Sequence, residues 1–211
     1  MGERVMVIGK SGSGKSTSLR NFEPGEVGIF SCAGKRLPFR KKLDVTNNAT
    51  YEVITKTIMS GKRRAWVIDD STYLMQFEMF DHAKETGYNK FTSIALNFEK
   101  LLETASMAPD DTITYFLHHP SFSDANDMKP QTVGKMLDNQ LNIEGLFPVI
   151  IECTVIDGEH KFVTANDGNN IAKAPINMLP PIMDNDLKAV DTAIREYWEM
   201  APLTKAGKTN G

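Results

Sequence analysis

Little in this sequence can cross-link, chelate or span. Two cysteines occur in 211 residues, Cys32 and Cys153, and they fit no metal-ligand spacing. That disfavours a disulfide scaffold and a cysteine zinc site, and predicts a reduced, intracellular chain. No stretch approaches the ~18 apolar residues of a membrane span. No basic-then-apolar leader precedes Arg4-Val5-Met6-Val7-Ile8. Gly2 hints at myristoylation, but position 6 is Met6 rather than Ser or Thr. The expectation is a soluble protein without a membrane partner.

Arginine is missing over a long stretch, with none between Arg64 and Arg195. Nucleotide and nucleoside kinases close an Arg-rich lid over phosphates, because the guanidinium fork matches a phosphate edge. This chain has no such region, which disfavours a small-molecule phosphotransferase. A GTPase is disfavoured as well, since Asn89-Lys90-Phe91-Thr92 lacks the Asp of a guanine-reading N-K-x-D. The net charge of −3 hides a split: residues 1–64 carry +8 and residues 65–211 carry −11. Such asymmetry suggests polyanion contact on one face, unless folding mixes the two segments.

What is present reads as strand–helix alternation. Residues 4–8, 27–30, 65–68 and 112–118 are short apolar runs of strand type. Helices are expected over 15–22, 50–60, 71–86, 89–107 and 186–199. Residues 32–48 read as a basic loop, and 119–135 as a long loop whose length marks it as functional or mobile. A strand over 148–156 meets Asp157-Gly158, the favoured hairpin turn, with a return strand over 159–165. The fold class is therefore α/β: a mainly parallel sheet flanked by helices, with a C-terminal β-hairpin and helix. One domain over 1–203 is expected, with 204–211 as a frayed tail.

Gly9-Lys10-Ser11-Gly12-Ser13-Gly14-Lys15-Ser16 matches G-x-x-x-x-G-K-[ST] in full, between a strand and a helix. Its glycines, Gly9, Gly12 and Gly14, let the backbone curl so that N–H groups, including those of Ser11 and Ser13, face phosphate oxygens. The helix start adds its positive end. Lys15 reaches the β- and γ-phosphates, the Ser16 hydroxyl suits Mg²⁺, and Thr17 meets the α-phosphate. ATP and Mg²⁺ are the expected cofactors.

Ala65-Trp66-Val67-Ile68 ends in Asp69-Asp70. Asp69 is the candidate second metal ligand. Asp70 is either the general base for water or, with Asp69-Asp70-Ser71, part of a helix N-cap. A rival base at the end of the second strand is lacking, since Ser31-Cys32-Ala33-Gly34 holds no acid. The fourth strand ends in His118-His119-Pro120, whose imidazoles are candidates for sensing γ-phosphate or orienting water. They have no Cys or third His at zinc spacing. Lys129 and Lys135 are candidates for a finger acting in trans. Lys35, Arg36, Arg40, Lys41 and Lys42, with Lys62-Arg63-Arg64, could track a nucleic-acid backbone, and Phe39 and Phe122 could stack bases.

Strand–GKSGSGKST, WVIDD, TYFLHH, a loop ending TVGKML and the late VTANDGNNIAKAP together resemble phage-encoded RecA-like ATPases of the single-strand annealing (Sak-type) group. The resemblance runs from about Arg4 to Met200. It implies a RecA-like core that hydrolyses ATP, binds single-stranded DNA and helps anneal or recombine phage DNA in the host cytoplasm. It implies a homo-oligomer, with a single-stranded DNA-binding protein as a candidate partner. By the same resemblance His119 stands where RecA-like proteins carry a strand-end Gln, and loop 120–135 corresponds to a DNA-contacting loop. The phosphate loop begins at Gly9, so the resemblance does not extend to the segment that links RecA protomers into filaments. The alternative is a nucleotide-gated interaction or assembly module with little hydrolysis.

Overall fold

A computed structural model describes residues 1–124, 126–134 and 141–205. Among these residues ten strands form in chain order. They are β1 (Glu3–Ile8), β2 (Gly28–Ser31), β3 (Asp44–Asn47), β4 (Ala65–Asp69) and β5 (Ile113–His118), then β6 (Pro120–Phe122), β7 (Met128–Pro130), β8 (Val149–Ile156), β9 (Glu159–Val163) and β10 (Ile182–Asp184). Among the described residues four α-helices accompany them: α1 (Tyr51–Met59), α2 (Thr72–Asp81), α3 (Asn89–Ser106) and α4 (Leu187–Tyr197).

Eight strands make one sheet in the order β10-β9-β8-β1-β5-β4-β2-β3. From β8 to β3 every pairing is parallel; β9 and β10 add antiparallel strands at one edge. The central strands read as continuous apolar runs because helices cover both faces. Side chains alternate across the sheet. Met6, Ile8, Ile68 and Phe116 pack under α1, α2 and α3 through Ile54, Met75, Phe98 and Leu101. Val5, Val7, Val67 and Tyr115 pack on the opposite face against Leu19, Phe22, Leu187, Val190 and Ile194. The Asp186 carboxylate starts α4 by accepting from the backbone N–H groups of Lys188 (3.0 Å) and Ala189 (3.2 Å).

The register aligns one end of the sheet. Ile8 lies opposite His118, and Ser31 opposite Asp69, so β1, β5, β4 and β2 finish together. The chain leaves β1 between neighbours β5 and β8, which are reached by later segments. Ligand crevices form at such points in open parallel sheets.

Several expectations change. The helix expected over 15–22 is a 3-10 helix, Ser16–Asn21, which stops at the extended Phe22 just before Pro24-Gly25. The loop expected over 32–48 ends in β3, an edge strand whose polar residues gave no apolar run. The loop expected over 119–135 begins as a hairpin, with Pro120 paired to Pro130; proline is tolerated there because neither strand is central. The helix expected over 71–86 ends at Asp81. Strand β10 and a 3-10 turn at Glu144–Leu146 were not expected. The tail expected from residue 204 lies mostly outside the described residues. Both cysteines are free and buried. Among the described residues no helix is long and apolar enough to cross a membrane.

Candidate functional site

The phosphate loop is built at the end of β1. Gly9 donates its N–H to the His118 carbonyl at 3.2 Å, which ties the loop to β5. A Cβ at Gly9 would lie 2.3 Å from the Cys153 carbonyl oxygen and 2.5 Å from Ser13 Oγ, so only glycine lets β8 approach. Gly14 has φ +104, a backbone region that L side chains rarely adopt. Lys15 Nζ donates to the carbonyls of Gly9 (2.7 Å) and Lys10 (3.2 Å). Burial pulls the Lys15 ammonium below its ordinary pKa, against the pull of Asp70, Cys153 and Asp69.

Across from the loop, Ser16 Oγ donates to Asp69 Oδ1 at 2.8 Å. Burial raises the Asp69 carboxyl to about 6, with Asp70 adding to the rise and Ser16, Lys15 and Lys35 opposing it. A hydroxyl and a carboxylate oxygen together form the hard donor set that Mg²⁺ prefers. Among the described residues no group of three His, Cys, Asp or Glu side chains could hold a metal alone. Mg²⁺ bound here would take its other ligands from phosphate and water, which fits these two residues.

Asp70 has φ +60, an uncommon left-handed conformation that Asp tolerates. It turns the chain from β4 toward α2 and leaves the carboxylate at the cavity wall. Neither Asp side chain caps α2; the N-cap position is Ser71, whose side chain makes no capping bond. Instead Asp70 Oδ2 accepts from Lys35 Nζ at 2.8 Å, and Oδ1 lies 3.1 Å from His119 Nε2. Burial pushes the Asp70 carboxyl up, but the hydrogen bonds from His119 and Lys35 outweigh it and hold it down at about 2.

The adjacent histidines part company. The ring of His119 meets Tyr73 edge-on at 5.9 Å and lines the cavity, and the His119 backbone N–H donates to Thr72 Oγ1 at 2.9 Å. His118 is 0% exposed and faces Phe98 of α3. Its Nε2 is 2.8 Å from the Gln131 carbonyl, which can only accept, so Nε2 carries the proton. Nδ1 is left to accept from Ser71 Oγ at 2.8 Å. Burial lowers the His118 imidazole to about 4. The expectation of a catalytic His118 is therefore corrected: it braces the start of α2 against residue 131 and is not among the cavity-lining residues.

A cavity of about 250 Å³ is lined by Ser11, Gly12, Gly14, Lys15, Ser16, Thr17, Asp69, Asp70 and His119, together with Lys35, Arg36, Pro38 and His160. The basic segment after β2 does not form one track. Lys35 and Arg36 reach the cavity, Lys41 bonds Glu23 (2.9 Å) and the Phe22 carbonyl (3.1 Å), and Arg40 and Lys42 are exposed outside it. Phe39 packs partly into the core rather than standing free for stacking. Arg63 pairs with Asp44 at 2.7 Å and Arg64 donates to the Pro202 carbonyl at 3.0 Å. Both precede β4, at the opposite end of the sheet from the phosphate loop. Lys129 lies in β7 opposite Ser121; Lys135 lies outside the described residues.

A second cavity of about 430 Å³ borders the other side of the phosphate loop, lined by Lys10, Phe122, Met128, Glu152 and Cys153 among others. Lys10 Nζ stands 4.9 Å from the centroid of the Phe122 ring, which is 40% exposed. His160 was missed by sequence reasoning. Its Nδ1 lies 2.8 Å from the Ser13 carbonyl, and its ring packs where a Cβ at Gly14 would point. The available signal was the Asp157-Gly158 turn, which folds β9 back toward the loop. Cys153 Sγ supports the same carbonyl at 3.1 Å and accepts from Asn185 Nδ2 at 3.2 Å.

Strand order, phosphate loop and strand-end carboxylates define an α/β core of the phosphate-loop type, a mainly parallel sheet flanked by helices. No protein-family model matches the chain, and comparison with curated proteins gives no match. Among solved structures, the chain is similar to a prototypical ATPase from the type III secretion system of pathogenic bacteria, at 17% identity and a TM-score of 0.47. The match covers 73% of this chain and 51% of that one, so this chain spans about half of that structure's length.

Proposed function

We propose that this protein is a Mg²⁺-dependent ATPase that acts on single-stranded DNA in annealing or recombination. The observation that carries the ATPase reading is the contact of Ser16 Oγ with Asp69 Oδ1 at 2.8 Å, beside Lys15 in a phosphate loop. The loop amides and Lys15 bind the β- and γ-phosphates. Ser16 and Asp69 would hold Mg²⁺, which when bound screens the charge of both phosphates. A water oxygen forms the new bond to the γ-phosphorus while the bond to the β–γ bridging oxygen breaks, and ADP leaves with that electron pair. The proton of the water passes to the Asp70–His119 pair, which also orients the nucleophile.

The DNA reading is supported by the β6–β7 hairpin, which leaves the sheet directly after His119. It presents Phe122 beside Lys10, so a base stacked on Phe122 would touch a residue of the phosphate loop. That is the coupling a DNA-responsive ATPase needs, and base–aromatic stacking contributes ~1–3 kcal/mol. The resemblance to annealing ATPases points the same way. A nucleotide-gated module with slow hydrolysis is favoured by one observation, the engagement of Asp70 by Lys35 and His119.

The test is phosphate release from Mg²⁺–ATP with and without a single-stranded oligonucleotide, at several salt concentrations. Stimulation that declines linearly in log affinity against log salt is expected. Hydrolysis that ignores DNA at every salt concentration contradicts the DNA reading, and nucleotide binding with little hydrolysis under every condition favours the gated module.

A further inference from the structure

The basic segment after β2 is singled out by its charge, and the reaction above gives it no part. Its first lysine is placed with care. At the end of β2, Ser31 Oγ accepts from the Lys35 backbone N–H at 3.1 Å. Gly34 turns with φ +63, and a Cβ there would lie 2.5 Å from Asn48 Oδ1. Because β2 neighbours β4, with Ser31 opposite Asp69, this turn delivers Lys35 across the end of β4. Its ammonium is 5.0 Å from the centroid of the Tyr73 ring and 2.8 Å from Asp70 Oδ2. The side chain is 58% exposed.

We propose that Lys35 is a γ-phosphate ligand supplied in cis, facing Lys15 across the nucleotide cavity. This rests on the ATPase reading and deepens it. Three facts carry it. Lys35 and Lys15 line the same cavity of about 250 Å³ from different elements. No arginine occurs between Arg64 and Arg195, so β4, β5 and everything up to α4 supply no guanidinium to the cavity, and its Lys and Arg side chains come from the phosphate loop and the segment after β2. A Lys side chain also has four rotatable carbons, enough to carry its ammonium from Asp70 to a phosphate oxygen in the same cavity. Phosphate and Asp70 then compete for one ammonium. When the γ-phosphate takes it, Asp70 is released to act on water; ADP lacks that phosphate and leaves the pair intact. Arg36, the next residue, lines the same cavity and adds charge without the contact to Asp70.

The experiment compares wild type, Lys35→Met and Lys35→Arg for three quantities: affinity for a non-hydrolysable ATP analogue, affinity for ADP, and kcat, all with Mg²⁺. Lys35→Met is expected to bind the analogue about tenfold to a hundredfold more weakly, the scale of one charged hydrogen bond. ADP affinity and melting temperature stay as in wild type. kcat falls about a hundredfold, as when one charge-stabilising donor is removed, and Lys35→Arg restores part of both losses. Equal loss of ATP-analogue and ADP affinity overturns the proposal, because the role would then be structural. Unchanged affinity and kcat overturn it too, and leave the ATPase reading standing. A wild type that binds neither nucleotide overturns the ATPase reading itself, and Lys35 with it.

Discussion

Acid should unfold this protein partly through one buried imidazole. His118 is 0% exposed, and burial lowers its pKa from an ordinary 6.5 to about 4. As pH falls, the unfolded chain takes up this proton first. The folded state therefore holds its full stability above about pH 6.5, loses it progressively below, and has lost the whole increment once pH passes 4. The full difference is about 3 kcal/mol, and about 2 kcal/mol is already lost at pH 5. For a domain of this size that is roughly 4–8 °C in melting temperature. The assay is thermal unfolding at pH 7.5 and pH 5, for wild type and His118→Gln. Glutamine can still donate to the Gln131 carbonyl and accept from Ser71, but it does not titrate. Wild type should lose roughly 4–8 °C more than the variant between the two pH values. Equal losses would refute the assignment of His118 as a buried neutral brace.

Asp69 shows the opposite linkage. Its pKa is raised to about 6, so its contribution is favourable below pH 3.8 and is lost as pH rises through 6. Asp69→Asn should therefore raise the melting temperature at pH 7.5, by up to about 3 kcal/mol in stability, while weakening Mg²⁺-dependent ATP binding. A variant less stable than wild type at pH 7.5 would contradict this. Gly9→Ala should disrupt nucleotide binding and cost about 1–3 kcal/mol, because its Cβ would lie 2.3 Å from a backbone oxygen of β8. Calorimetric ATP binding at wild-type strength in that variant would show that the close approach is unimportant.

The elements legible in the sequence are those whose chemistry is local. β1, β4 and β5 are buried on both faces over most of their length, so each appears as a largely apolar run. The phosphate loop repeats its requirements within eight neighbouring positions, and Asp69 follows at the end of such a run. β3 was not legible because its exposed polar edge residues surround a single apolar one, Val45. The β6–β7 hairpin was hidden by prolines at both ends. His118 and His119 look alike in a string of letters, but strand alternation and the turn at Pro120 send one into the helical layer and the other to the cavity. Lys35 and His160 reach the phosphate loop only through tertiary contacts, one from the neighbouring β2 and one from the folded-back β9. Nothing local in the sequence separates Lys35 from Lys41, which lies six residues on and pairs with Glu23 instead.

Hydrolysis at the phosphate loop is the central property proposed for this protein. The most direct measurement is phosphate release from ATP by wild type and Lys15→Ala, each with Mg²⁺ and with the metal chelated. The structure predicts turnover by wild type with Mg²⁺ alone, and loss of ATP binding or turnover in the variant, since Lys15 is the buried cation at the centre of the loop. Equal turnover by the two proteins, or turnover that survives chelation, would contradict it.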